Sequence, residues 1–276
     1  MNKLLFIFLC FSLLPCLHSQ SDIPYGNNPD AGKYFDSDGV QLYYETYGSG
    51  APLLLLHGGV YGYIDEFEYL IPKLAEHYQV ICPATRGHGK SEIGHEPFTY
   101  QQRADDAYQL LQHLGLEKVI VIGFSDGGYA AMKMAALYPD AVTRVVAMGV
   151  GEIPQDSRLG TSSYSAESLL ASSKDYFESR LKLMPEPERW GECLQMLNEL
   201  YNNALMSKET FEKITCPVLL MNGDHDQYQT VDALVSAYHQ IEKATLSIIP
   251  GCGHVILYCN FSAAWDSMRP FLEIKE

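Results

Sequence analysis

One serine in the chain has neighbours typical of a nucleophile. Ser125 lies in Gly123-Phe124-Ser125-Asp126-Gly127, a G-x-S-x-G pattern between the apolar run Val119–Ile122 and the helical pattern Tyr129–Leu137. A serine on a sharp strand-to-helix turn takes a strained backbone conformation, and the flanking glycines remove side chains that would clash with it. The pattern predicts that the hydroxyl projects at a helix N-terminus, where N–H groups and the helix dipole favour negative charge.

A base and an acid for this serine are expected late in the chain. The imidazole that takes the serine proton needs a carboxylate to fix its tautomer and stabilise its cation. His254 stands in a Gly-rich loop directly after the predicted strand Ala244–Ile249, while Asp224 and Asp226 both follow the predicted strand Pro217–Met221. The chain order serine, aspartate, histidine is a known one for such a site. The residues alone leave both aspartates open, and Asp224 is also typical of a turn former.

Backbone donors for a developing oxyanion are expected in two places. One is the N–H of Asp126, at the start of the helix after the serine. The other is in the loop His57-Gly58-Gly59 after the apolar run Pro52–Leu56, with Gly59 as the expected donor, because glycine lets the backbone approach a substrate closely. Each donor contributes about 3–4 kcal/mol to an acyl-transfer transition state.

The elements that must position these residues follow an α/β pattern. Short apolar segments alternate with helical patterns, which predicts a mostly parallel central sheet flanked by helices on both faces. The predicted strands are Tyr34–Phe35, Val40–Tyr47, Pro52–Leu56, Tyr78–Cys82, Val119–Ile122, Val142–Val150, Pro217–Met221 and Ala244–Ile249. The predicted helices are 99–114, Tyr129–Leu137 and Phe261–Phe271.

One long segment, residues 152–213, contains no clear strand. It holds the helix-like pieces Ala166–Leu183 and Glu188–Leu205 around a Pro-rich joint. We interpret it as a helical cap inserted between two parts of the core, 20–151 and 214–276. The alternative is an unusually long pair of ordinary crossover helices.

The N-terminus has the pattern of a signal peptide, residues 1–19. Lys3 supplies the positive charge, and the apolar run from Leu4 to Leu14 has eleven residues, which fits a signal peptide but is too short to span a bilayer. We therefore expect an exported protein, secreted or periplasmic, with no membrane span. Lipid anchoring through Cys16 is the alternative.

Composition and charge exclude several partners. A net charge of −15 repels phosphate backbones, so we expect no nucleic acid as partner. Neither metal-ligand spacing nor an early glycine-rich dinucleotide motif occurs, and we expect no metal or cofactor. The five cysteines that remain after cleavage are an odd number; Cys252 and Cys259 flank His254 and form the only pair that invites a disulfide test.

These motifs together resemble the α/β-hydrolase superfamily, in the branch of small capped esterases, enol-lactonases and valacyclovir-hydrolase-like enzymes. The resemblance runs from about Asp36 to the C-terminus, and implies that the acid is the second aspartate of the G-D-x-D segment, Asp226. The chain departs from the pattern at Ala84, where relatives often carry aspartate. The matching motifs are Asp38-Gly39-Val40, His57-Gly58-Gly59, Arg86-Gly87-His88-Gly89-Lys90-Ser91, Gly123-Phe124-Ser125-Asp126-Gly127-Gly128, Gly223-Asp224-His225-Asp226 and Gly253-His254.

The leading hypothesis is a serine hydrolase that cleaves a small-molecule substrate through an acyl-enzyme on Ser125. The substrate is expected to be a carboxylic ester, a lactone or an activated amide. An aminopeptidase-like amidase and a non-catalytic binding protein that kept the fold are the alternatives.

Four residues near the expected site have roles that the sequence leaves open. Tyr61 and Tyr129 are candidate substrate-binding residues, and Tyr63 is a further candidate for lining a cavity. The Asp126 carboxylate either supports the helix N-terminus or pairs with a cationic group on the substrate, such as an α-amino group.

Overall fold

The computed structural model describes residues 23–158 and 160–275. The predicted signal peptide and Cys16 lie outside the described residues. Within them, no helix is both long enough and apolar enough to cross a bilayer.

Eight strands form one sheet in the order β1-β2-β4-β3-β5-β6-β7-β8. β1 and β2 form a hairpin around Asp38 and Gly39, whose positive φ angles of 51° and 83° suit a tight two-residue turn. β2 also runs antiparallel to β4, and all the other pairs are parallel, which confirms the predicted α/β class. The strands are β1 Gly32–Ser37, β2 Val40–Tyr47, β3 Ala51–Leu56, β4 Tyr78–Pro83, β5 Val119–Phe124, β6 Val142–Met148, β7 Val218–Gly223 and β8 Ala244–Ile249.

Helices cover both faces of this sheet. The helices are α1 Leu70–Ala75, α2 Tyr100–His113, α3 Asp126–Leu137, α4 Ala166–Ser172, α5 Lys174–Leu181, α6 Trp190–Asn203, α7 Lys208–Phe211, α8 Val231–Gln240, α9 Ile256–Cys259 and α10 Phe261–Phe271. In β3, Leu54 and Leu56 join the hydrophobic cluster under α2, α3 and α8, while Leu53 and Leu55 join the cluster under α1 and α10. Burying each leucine contributes about 1.5–3 kcal/mol, so the solidly apolar sequence of β3 follows from its burial on both faces.

The chain leaves the sheet after β6 and returns at β7. Between them lie α4, α5, α6 and α7, and an isolated bridge joins Ile153 to Met206 at the base of this segment. We call residues 152–213 the cap. The predicted helix Ala166–Leu183 is in fact two helices, because Ser173 takes a non-helical conformation with φ −156° and ψ 78°. The Ser172 hydroxyl bonds the Leu169 carbonyl at 2.8 Å, a local alternative to helix continuation that serine side chains offer the backbone.

Candidate active site

The residues predicted for catalysis come together at one edge of the sheet. Ser125 follows β5, Asp226 follows β7, His254 follows β8 and Gly59 follows β3. These strands are parallel, so their carboxyl ends share an edge, the usual place for a ligand crevice in an α/β sheet.

Ser125 sits on a strained turn between β5 and α3. Its φ of 52° and ψ of −115° lie in a region that L-residues rarely adopt. Its N–H donates to the Met148 carbonyl at 2.7 Å, which ties the turn to β6. A Cβ at Gly123 or Gly127 would overlap backbone atoms, so only glycine permits the turn at these two positions.

A chain of two hydrogen bonds runs from the serine to a buried carboxylate. The Ser125 hydroxyl donates to His254 Nε2 at 3.0 Å, and His254 Nδ1 donates to Asp226 Oδ2 at 2.8 Å. The Asp226 Oδ1 accepts the N–H groups of Tyr228 and Gln229 at 2.8 and 2.9 Å. The carboxylate is thereby fixed and requires the proton on Nδ1, which leaves Nε2 free to take the serine proton.

Asp224, the other candidate acid, has a different place. Its side chain is exposed, and its Oδ1 accepts the Cys252 N–H at 3.2 Å. It therefore links the loops after β7 and β8. The hydrogen bond to His254 belongs to Asp226, as the resemblance implied.

The two predicted oxyanion donors are available. Among the described residues, neither the Gly59 N–H nor the Asp126 N–H donates to a protein acceptor. The neighbouring Gly58 N–H donates to the Glu66 carboxyl at 2.6 Å. Burial raises the pKa of Glu66 well above its usual value, and the hydrogen bond from Gly58 partly opposes that rise, so the contact supports the loop from a carboxyl group whose neutral form burial favours.

A pair of buried histidines supports the same loop from behind. His57 Nδ1 bonds the Gly58 carbonyl at 2.8 Å, and its Nε2 accepts the Thr85 N–H at 3.0 Å. The Thr85 hydroxyl also contacts His88 Nδ1 at 3.1 Å. Burial lowers the pKa of His57 well below its usual value and that of His88 to about 4. Both rings are therefore neutral supports of the loop.

The Asp126 carboxylate is buried and already paired. Its Oδ1 accepts the Tyr100 hydroxyl at 3.2 Å, and its Oδ2 accepts the Tyr201 hydroxyl at 2.8 Å. Oδ2 also lies 3.3 Å from a guanidinium nitrogen of Arg103, whose side chain is itself buried. Because Arg103 balances this charge, the structure gives no support to the interpretation of Asp126 as a free site for a substrate amine.

A cavity of about 1040 Å³ opens over Ser125 and His254. Tyr61 and Tyr129 both line it, as predicted. Tyr61 is half-exposed at the mouth, whereas Tyr129 is buried and its hydroxyl accepts the Gly151 N–H at 3.1 Å. Tyr63 does not line the cavity: it is buried in the core, and its hydroxyl donates to the Gly26 carbonyl at 2.5 Å.

The charges around the cavity are unevenly paired. Arg180 makes a salt bridge to Asp65 at 2.8 Å. Arg158 also lines the cavity, but within residues 23–158 and 160–275 no carboxylate lies within ion-pair distance of it. The same ranges hold no group of three or more His, Cys, Asp or Glu side chains arranged for a metal ion.

A disulfide joins Cys252 to Cys259, the pair singled out from the sequence. It closes a seven-residue separation that contains His254. The described part of the chain also has Cys82, Cys193 and Cys216, all free and buried. The disulfide therefore constrains the loop that carries the base.

Sequence reasoning missed Glu66, Arg103 and Tyr201. Arg103 had a signal: it lies three residues after Tyr100 and four before Ala107, so it falls on the buried face of α2. Glu66 follows Asp65 between Ile64 and Phe67, and nothing in the sequence marks it as the buried one of the two acids. Tyr201 had no distinguishing signal among the apolar positions of α6.

Residues 51–162 match the family described as alpha/beta hydrolase fold. The magnesium-chelatase 30 kDa subunit of Rhodobacter capsulatus is 30% identical over 239 residues, covering 75% of this chain and 81% of that protein. The 2-hydroxy-6-oxo-6-(2'-aminophenyl)hexa-2,4-dienoic acid hydrolase of Metapseudomonas resinovorans is 26% identical, covering 80% of this chain and 84% of that protein. The crystal structure of the enol-lactonase from Burkholderia xenovorans LB400 superposes with a TM-score of 0.72 at 20% identity, covering 87% of this chain and 100% of that chain.

Proposed function

The chain belongs to the α/β-hydrolase family, and from this we propose that it is a serine hydrolase acting on a small carboxylic ester, lactone or activated amide. The observation that carries the proposal is the hydrogen-bond chain from Ser125 through His254 to Asp226. A structural role for these residues requires neither a strained serine nor a buried carboxylate aimed at one imidazole nitrogen. Nucleophilic catalysis requires both.

The geometry supports a two-step acyl transfer. The Ser125 oxygen attacks the substrate carbonyl carbon while His254 Nε2 takes its proton, and the resulting oxyanion faces the N–H groups of Gly59 and Asp126. His254 then gives the proton to the leaving group as the carbonyl re-forms, which leaves the acyl group on Ser125. A water molecule enters the same cycle, with His254 as its base, and releases the acid.

The cavity supports a small substrate with apolar or aromatic parts. Besides Tyr61 and Tyr129, the rings of Phe124 and Tyr228 line it, and both lie about 5 Å from the His254 ring, at 5.0 and 4.9 Å. Such a surface favours an acyl or alcohol group that can stack. Two of the similar proteins are named as an enol-lactonase and as a hydrolase of a dienoic acid, which also favours a carbonyl substrate.

Labelling and turnover together test the proposal. A fluorophosphonate probe is expected to modify Ser125, as located by mass spectrometry, and Ser125→Ala is expected to lose both labelling and hydrolysis. The substrate screen compares p-nitrophenyl esters of increasing chain length, lactones and aminoacyl arylamides. Turnover of arylamides alone would favour the aminopeptidase-like alternative. A folded protein with neither labelling nor turnover would instead indicate a binding protein, a result consistent with a relative named as a chelatase subunit.

A further inference from the structure

The two oxyanion donors belong to separate parts of the chain. Gly59 lies on the loop after β3, whereas Asp126 begins α3. Stabilising an oxyanion requires both N–H groups to point at one position about 3 Å away. A further contact must therefore fix the positions of these two segments relative to each other.

Tyr201 of the cap contacts both segments through one hydroxyl group. This hydroxyl donates to Asp126 Oδ2 at 2.8 Å and accepts the Val60 N–H at 3.4 Å. The Val60 nitrogen belongs to the peptide bond that Gly59 begins. A Cβ on Gly59 would overlap the same hydroxyl, so the cap side chain lies directly against the donor residue.

The hydroxyl has the properties that this bridging requires. Burial and the adjacent Asp126 carboxylate raise the pKa of Tyr201, so the phenol keeps its proton and donates. Arg103 and the Tyr100 hydroxyl hold the same carboxylate from other directions. With its side chain fixed at three points, Asp126 has little freedom to rotate its own N–H.

We propose that Tyr201 is a positioning residue that completes the oxyanion hole from the cap. The cap then has a part in transition-state stabilisation beyond covering the cavity, because displacing α6 breaks the contacts to Val60 and Asp126 together. The inference rests on the proposed serine hydrolase function and names a residue that tunes it. Tyr201 acts through the two donor segments and performs no proton transfer.

The test is Tyr201→Phe, which removes the hydroxyl and keeps the ring. Removal of an entire oxyanion donor costs about 10²–10³-fold in kcat, so loosening two donors is expected to lower kcat by about 10–100-fold with KM changed less than threefold. The affinity for a trifluoromethyl ketone, which forms a tetrahedral oxyanion adduct on the serine, is expected to fall by the same factor as kcat/KM. Affinity for the product acid should change far less.

Tyr164→Phe is the matched control. Tyr164 is also a cap tyrosine, with its ring 6.0 Å from that of Tyr201, but among the described residues its hydroxyl contacts neither Val60 nor Asp126. Its kcat is expected to fall by less than threefold. A loss of equal size in this control would assign the effect to general packing of the cap.

Asp126→Asn provides a second route to the same answer if Tyr201→Phe folds poorly. It keeps the backbone N–H and weakens the contact to the Tyr201 hydroxyl, so the same pattern of lower kcat and weaker ketone binding is expected. The double variant should lose little more than the worse single variant, because both disrupt one arrangement.

The outcomes separate this inference from the proposed function. Wild-type protein without labelling or turnover would defeat the serine hydrolase itself. An active wild type whose Tyr201→Phe variant keeps kcat within threefold, raises KM alone, or binds the ketone as tightly as before would overturn only the role of Tyr201.

Discussion

Asp226→Asn should reduce turnover by about 10⁴-fold while preserving the fold. The predicted loss follows from the different partners of the two carboxyl oxygens. Its Oδ1 accepts two main-chain N–H groups, at 2.8 and 2.9 Å, and the amide oxygen of asparagine can keep both contacts. The amide NH₂ is then placed where Oδ2 now accepts from His254 Nδ1.

That exchange switches the His254 imidazole to its other tautomer. Nδ1 must accept a hydrogen bond from the amide, so its proton moves to Nε2, the nitrogen that faces the Ser125 oxygen at 3.0 Å. A protonated Nε2 in a neutral ring cannot remove the serine proton. The same wrong-tautomer effect costs a catalytic triad about 10⁴-fold, which corresponds to about 5 kcal/mol of transition-state stabilisation at 1.36 kcal/mol per tenfold.

Initial rates on p-nitrophenyl butyrate and rates of fluorophosphonate labelling measure the loss, with circular dichroism as the check on folding. Asp224→Asn is the matched control, since its amide oxygen can still accept the Cys252 N–H and its side chain has no contact with His254. Its kcat should stay within about threefold of wild type. The reasoning is wrong if Asp226→Asn retains more than a tenth of the activity, or if the two variants lose equal amounts.

Three further outcomes are expected. Reducing the Cys252–Cys259 disulfide reopens a loop of about eight residues, which should lower the free energy of unfolding by about 2–3 kcal/mol. It should also lower kcat several-fold, because the loop carries His254. Urea unfolding and rates with and without reductant measure both effects, and Cys259→Ser should be insensitive to reductant. Burial lowers the pKa of His88 from 6.5 to about 4, so between these pH values the unfolded chain binds more protons than the folded one. The free energy of unfolding should therefore fall by about 2–3 kcal/mol from pH 7.5 to 4.5. His88→Gln should remove this part of the pH dependence measured by urea unfolding, and an unchanged pH dependence would contradict the neutral, buried role of His88. Arg158 lines the cavity without a described carboxylate partner, while Asp126 is paired to Arg103. Arg158→Gln should therefore lower the ratio of kcat/KM for p-nitrophenyl hemisuccinate over the butyrate by up to about fivefold, the size of an exposed ion pair of about 1 kcal/mol. Aminoacyl esters should show no preference, and a strong preference for them would restore the amine-binding interpretation of Asp126.

The sequence predicted the elements whose character is local. The strand Val40–Tyr47 and the helix Phe261–Phe271 have the predicted bounds, because strand alternation and helical apolar spacing are visible within one element. α1 has six residues and was missed, since so short a helix shows less than two turns of any pattern. α8 was also missed: its valines favour a strand locally, and packing of Leu234 and Ala237 in the core overrides them.

The candidate site also has residues that the local sequence marks and one that it does not. Ser125 and His254 could be predicted because a short motif or a loop position marks each of them, and the choice of Asp226 needed the family resemblance. Tyr201 lies 75 residues from Asp126 and 141 from Val60. Such contacts depend on how the cap docks on the sheet, and no pattern within α6 encodes that placement.

Asp126 shows why the pairing of a charge matters more than its sign. A carboxylate about 5 Å from a developing oxyanion opposes it by about 3 kcal/mol at an effective dielectric constant of 20, roughly what one oxyanion donor contributes. Arg103, 3.3 Å from Asp126 Oδ2, provides the opposite charge, and the hydroxyls of Tyr100 and Tyr201 donate hydrogen bonds to the same carboxylate. In the proposed mechanism the carboxylate can therefore anchor its own N–H beside the oxyanion at little electrostatic cost. The sequence displays the aspartate next to the serine, but the cation that makes it tolerable comes from another helix.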